Sequence, residues 1–159
     1  MRLLSRHFST DEFSKDAPVP DSCVSMLSHL CISVLEPVRD HFLAALLITS
    51  GYRPPGANTA CHGQPNSEHM YTPDWCAADF LACSENVTSR ALFDWMRTNP
   101  RLPFHQLIFE HSMTGDIIHV SVNRLKPGIR SVLEGATHNA IPYIKVDYVQ
   151  YQPKEISNV

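Results

Sequence analysis

His69, Asp79 and His119 are the residues of this chain whose types and spacing could do chemistry. The first two stand ten residues apart, just beyond a stretch rich in Gly, Pro and Asn. His119 sits in the apolar run Ile117-Ile118-His119-Val120-Ser121. An aspartate inside Cys76-Ala77-Ala78-Asp79-Phe80-Leu81-Ala82 is costly to bury unless a cation or strong donors meet it. An imidazole between apolar neighbours poses the same problem. Two imidazole nitrogens and one carboxylate oxygen, with no fourth protein ligand evident, form the donor set of an open zinc centre of the catalytic type. The implied chemistry is hydrolysis, provided that the three residues meet in space.

Hydrolysis at such a centre also needs a base for the attacking water. Two acids compete. Glu110 ends one predicted strand and Asp116 begins the next. If Glu110 faces Ile117 across the pair, Glu110 and His119 share a sheet face. Asp116, three residues before His119, falls on the other face of a regular strand, unless a bulge or the turn at Gly115 re-aims it. Arg53 ends Ser50-Gly51-Tyr52-Arg53, where a guanidinium could stabilise a developing oxyanion or grip a substrate carboxylate. Ser67, two residues before His69, is a candidate hydrogen-bond partner for substrate. Tyr71 and Trp75 could line the same cleft or simply pack. For His62, His105, His111 and His138 a structural or surface role is the expected one.

These residues form part of a longer pattern. Ser50-Gly51-Tyr52-Arg53, Asn58, Ser67-Glu68-His69, Ala77-Ala78-Asp79 and the strand around His119, in that order, resemble the zinc D-Ala-D-Ala carboxypeptidase and L-Ala-D-Glu endopeptidase family. Its members cut peptidoglycan stem peptides, and many phage endolysins are among them. His7-Phe8-Ser9 with Glu12-Phe13, Leu35-Glu36-Pro37-Val38-Arg39 and Gln106-Leu107-Ile108-Phe109-Glu110 extend the resemblance over roughly residues 5–123.

The resemblance implies a hedgehog/DD-peptidase-like α+β fold, with helices packed on one face of a small, mainly antiparallel sheet. It implies Zn2+ held by His69, Asp79 and His119, and a peptidoglycan peptide as substrate. Cleavage would be that of a DD-carboxypeptidase or of an L-Ala-D-Glu endopeptidase. An acid three residues before the last His matches the family arrangement, so Asp116 is the expected base, with Glu110, which strand geometry favours, as the alternative. One departure concerns the His69–Asp79 spacer. It is three residues longer than in the pattern S-x-H-x-x-G-x-A-x-D, with Pro73, Asp74 and Trp75 where the glycine would fall. Hedgehog signalling domains keep the zinc-site layout without established peptidase action. A non-catalytic, zinc-containing cell-wall-binding or structural module is therefore the alternative.

The elements that must position these residues are legible in outline. Ser9 and Glu12 form a capping box. Leu27, Leu30, Val34, Val38 and Phe42 recur at helical spacing over 21–43, a segment that Pro37 should kink or split. Residues 44–49 read as a buried strand, 53–75 as loop, and 76–81 as a short strand. A helix over 88–98 should bury Ala91, Leu92, Trp95 and Met96 and stop at Asn99-Pro100. Residues 105–110 and 116–122 predict a hairpin joined by Ser112-Met113-Thr114-Gly115, and 142–151 an edge strand. Helices first and strands later predict an α+β class.

A chain of 159 residues suits one domain, 1–159. A net charge of −3 with no Lys/Arg run gives no reason to expect nucleic acid or an anionic membrane as partner. No window approaches the ~18 apolar residues of a membrane helix, and the N-terminus lacks a signal-peptide core. Cytoplasmic synthesis, a separate route to the cell wall and a monomeric state are expected. Cys23, Cys31, Cys61, Cys76 and Cys83 show no paired CxxC spacing and are expected to be reduced thiols, not ligands.

Overall fold

The computed structural model describes residues 1–112, 115–136 and 143–152. Helix α1 (Thr10–Phe13) starts at Ser9, whose backbone N–H donates to the Glu12 carboxylate at 2.6 Å, so the expected capping box forms. A 3₁₀ turn (Asp21–Cys23) then opens a long helical segment of α2 (Val24–Leu30), a π-helical stretch (Cys31–Leu35) and α3 (Glu36–Phe42). The split expected at Pro37 thus takes the form of a π turn just before it. Pro37 falls in the first turn of α3, where a missing N–H is best tolerated.

Six strands follow: β1 (Leu46–Ser50), β2 (Trp75–Ala82), β3 (Gln106–His111), β4 (Ile117–Asn123), β5 (Ser131–Ala136) and β6 (Ile144–Lys145). They form one sheet in the order β1-β2-β4-β3-β5-β6. Every pairing is antiparallel except β3 with β5. Helices α2 and α5 (Ser89–Thr98) pack on one face. Between them and the sheet lies a single apolar cluster that includes Leu27, Leu30, Leu92, Phe93, Phe80, Phe109, Ile118 and Val120.

Alternation along the strands decides what the opposite face carries. Cys76, Ala78 and Phe80 of β2, Ile118, Val120 and Val122 of β4, and Leu107 and Phe109 of β3 belong to the core. The intervening residues, Ala77 and Asp79, Ile117, His119 and Ser121, and Ile108 and Glu110, therefore point away from the helices.

Several expectations need adjusting. β1 is an edge strand with Leu47 48% exposed, so it is buried on one face only. Within 53–75 a short helix α4 (Pro55–Ala60) forms, with Pro55 at its first position, where a preset φ suits a helix start. Thr88 caps α5 by accepting the Ala91 N–H at 3.1 Å. The buried stripe of α5 is Leu92, Phe93 and Met96. Ala91 is exposed and Trp95 half-buried, stacked on His41 at 4.2 Å. The hairpin forms, although Met113 and Thr114 of its turn lie outside the described residues. The edge strand shrinks to β6, with Pro142 also outside the described residues. β5 has no clear alternation signal in the sequence. All five cysteines are free.

Candidate metal centre

Asp79 and His119 are direct partners across the β2–β4 ladder, on the face turned away from the helices. His69 arrives from the loop before β2, which is tied down where the Arg53 N–H donates to the His69 carbonyl at 2.9 Å. His69 Nε2 lies 3.0 Å from Asp79 Oδ1 and 3.1 Å from His119 Nδ1, and His119 Nδ1 lies 2.8 Å from the same oxygen. All three residues are buried. Among the described residues they are the group of three or more His, Cys, Asp or Glu side chains that could hold a metal ion.

The tautomer of His69 follows from its other nitrogen. Nδ1 stands 2.7 Å from the Gly51 carbonyl, which can only accept, so Nδ1 carries the proton and Nε2 presents a lone pair to the cluster. Gly51 is required here by close approach. A Cβ on it would lie 2.5 Å from the Phe13 Cα and carbonyl oxygen, and the next residue, Tyr52, donates its N–H to that carbonyl at 2.9 Å.

Two imidazole nitrogens converging on one carboxylate oxygen make a donor set suited to a cation. Zinc bonds of about 2.0–2.1 Å in a tetrahedron put ligand atoms about 3.3–3.4 Å apart, so the cluster would need to open by only about 0.2–0.6 Å. The residues fit the ion. Burial pushes the Asp79 carboxyl up, but the two imidazoles outweigh it and hold its pKa well below the ordinary value. Burial opposes a charged His119, yet Asp79, Glu110 and Glu68 together raise its pKa.

Arg53 is part of this construction. Its Nη2 donates to Asp79 Oδ2 at 2.8 Å and its Nε to Ser50 Oγ at 3.0 Å, so the guanidinium engages the carboxylate oxygen that the imidazoles leave free. Ser67 Oγ accepts the His69 N–H at 3.3 Å. Tyr71 is a packing residue, with its hydroxyl donating to the Ala77 carbonyl at 2.6 Å, and Trp75 donates to the Met70 carbonyl at 3.2 Å. The longer spacer is absorbed in a turn. Thr72 takes the N–H groups of Asp74 and Trp75, and Asp74 pairs with Arg124. The three side chains meet despite the longer spacer because β2 starts only at Trp75.

Sequence reasoning missed Glu68. Only 6% exposed, it receives His105 Nδ1 at 2.9 and 3.0 Å and Asn123 Nδ2 at 2.5 Å, anchoring the loop that carries His69 to β3 and β4. His105 is therefore a structural partner. Burial raises the Glu68 pKa, but the hydrogen bonds from His105, Ser121 and Asn123 outweigh it and lower the value. A depressed native pKa means stability that is full above the unfolded value, about 4.3, and is lost as pH falls through the native one. Glu68→Gln should therefore cost about 1–3 kcal/mol at pH 7, with the gap to wild type narrowing below about pH 4. Urea unfolding at both pH values checks this, and an equal gap at both would refute it.

The two acids part company. Ile108 stands directly opposite His119 and Glu110 opposite Ile117, so Glu110 lies on the cluster face, about 7 Å further along β3. Burial and the negative charge of Asp79 raise its pKa, partly offset by His119, a Tyr143 hydrogen bond and His69. Asp116 instead bonds His111 Nδ1 at 3.0 Å, and its carbonyl accepts from Ser89 Oγ of α5 at 2.8 Å. His111 also meets Glu134 at 3.1 Å and the Phe109 ring, groups on the helical face. Asp116 is thus brought to the face opposite His119. His62 is exposed, with a left-handed φ of 57°, and His138 lies outside the described residues.

No curated protein matches the sequence. A family model described as Peptidase M15 matches residues 6–121, a span that takes in α1, the three converging side chains, Arg53 and Glu110. With the sheet covered by helices on one face and the cluster on the other, the chain belongs to the M15 peptidases, the zinc D-Ala-D-Ala carboxypeptidase family of hedgehog/DD-peptidase fold.

Proposed function

We propose that this protein is a zinc-dependent peptidase that hydrolyses an amide bond in peptidoglycan stem peptides, with Glu110 as its general base. The observation that carries this reading is one sheet face bearing both the His69–Asp79–His119 cluster and a carboxylate of raised pKa. Zinc would be held by His69, Asp79 and His119, and would supply a Lewis acid able to polarise a carbonyl and acidify a water.

The chain's own groups do the rest. Glu110 takes the proton of the attacking water and returns it to the leaving nitrogen, a task suited to a carboxylate whose pKa lies above the usual range. Gly51 fixes the His69 tautomer, and Arg53 holds Asp79 so that Oδ1 faces the imidazoles. Arg53 acts in this reading as a positioning residue. Asp116 serves the hairpin and not the reaction.

The test is incubation of the zinc-loaded protein with purified peptidoglycan, with and without chelator, followed by mass spectrometry of the muropeptides. Chelator-sensitive release of D-Ala supports a carboxypeptidase, and new L-Ala and D-Glu ends support an endopeptidase. Wall binding without any cleavage would replace the enzyme with a non-catalytic module.

A further inference from the structure

The segment beyond the family match reaches back to Glu110. Residues 143–152 run along the open edge of β5 and over the end of α5. Ile144 and Lys145 pair with Glu134 and Leu133. Further on, the N–H groups of Val146, Val149 and Gln152 donate to the carbonyls of Val132, Arg97 and Pro100 at 3.0, 3.0 and 2.6 Å. Arg97 donates back to the Asp147 carbonyl at 3.0 Å. Arg130, stacked on Phe104 at 3.9 Å, donates to the Val149 carbonyl. These bonds strap the segment to β5 and to the end of α5 from just after its first residue onward.

That first residue is Tyr143. Its ring folds over Gly135, where a Cβ would come within 2.5 Å of the ring Cδ1, and Gly135 is the direct partner of Glu110 across β3–β5. The hydroxyl reaches Glu110 Oε1 at 3.1 Å. Beside an ionised carboxylate the phenol is the donor. Burial and the Glu110 charge push its own pKa up, so it keeps its proton. The charged or titratable groups that act on Glu110 are Asp79 on β2, His119 on β4, His69 from the loop and Tyr143 on the strap. Of the described residues, Tyr143 is the one that gives Glu110 a side-chain hydrogen bond.

We propose that Tyr143 is a positioning residue for the reaction: its hydroxyl orients the Glu110 carboxylate and favours its ionised form, so that the C-terminal strap completes the active centre. The proposal rests on the reading of Glu110 as general base.

The zinc-loaded 159-residue chain is to be compared with Tyr143→Phe and Gly135→Ala on a stem-peptide substrate across pH. The Glu110 carboxyl is also titrated by 13C NMR in each. Loss of a donor to the charged form raises a carboxyl pKa. In Tyr143→Phe both the NMR pKa and the acid limb of kcat/KM should rise by about one unit, with kcat/KM about tenfold lower below the limb. KM and thermal unfolding should be little changed, because the ring still packs. Gly135→Ala keeps the hydroxyl but unseats the ring and should show the same shift. An unmoved limb and unmoved carboxyl titration in Tyr143→Phe, with Glu110→Gln inactive, would overturn the role of Tyr143 alone. Full turnover by Glu110→Gln would overturn both readings.

Discussion

His69→Ala and His119→Ala should each lose zinc binding and turnover together. Each variant leaves two protein ligands, too few to hold the ion at one per chain against bulk water. The loss should also appear as stability. A ligand that binds only the native state contributes about 4 kcal/mol at a thousandfold excess over its Kd, so zinc should raise the Tm of wild type and leave both variants unmoved. Asp79→Asn keeps an oxygen donor but loses the charge that balances two imidazoles and Arg53, and should retain weak binding at most. Arg53→Ala is graded differently, since its guanidinium meets the ligand's second oxygen; affinity should fall about 10–100-fold with the ligands intact. Elemental analysis and melting with and without zinc check all four. Undiminished zinc in both His variants would dissolve the assignment of the centre.

Much of this site was legible because its parts answer to local rules. The register that puts Glu110 opposite Ile117 follows from alternation in two short strands and the length of the turn between them. The cost of burying Asp79 or His119 alone could be read from their apolar neighbours. Other features depend on distance in sequence and were hidden for that reason. Glu68 and His105 are separated by 37 positions, and nothing local marks either as the other's partner. Arg53 was expected to serve substrate or oxyanion, but its bond to Asp79, 26 positions away, exists only once β1 and β2 pair. In α5 Leu92 and Met96 are buried as expected, but Phe93 fills the core against Phe109 while Trp95 stacks on His41 and stays half-buried. β5 pairs in parallel with a strand that is not its neighbour in sequence, and its Glu134 and Gly135 blur any apolar pattern.

The second large effect separates the two acids. Family arrangement points to Asp116 and strand geometry to Glu110, and the hydrogen bonds give each a different failure. Asp116 holds His111 on the helical face, and that imidazole also meets Glu134, itself bonded by both terminal nitrogens of Arg90. Asp116→Asn should therefore leave zinc content unchanged and kcat within a few-fold of wild type, an outcome of the size expected for a surface substitution away from the chemistry. Glu110→Gln keeps the shape and the Tyr143 partner but cannot accept a proton, and should lower kcat by about 10²–10⁴. KM should move little, because the lost function belongs to the transition state. Zinc occupancy and unfolding midpoint, measured on the same samples, keep loss of chemistry apart from loss of structure. The pH profile adds an independent sign. The base works only when ionised, so wild-type kcat/KM should fall on an acid limb that Glu110→Gln lacks. If Asp116→Asn is the inactive variant and Glu110→Gln turns over normally, the hairpin must re-aim Asp116 across the sheet when substrate binds, and the face that a strand residue occupies would be a poor guide to the base in this fold.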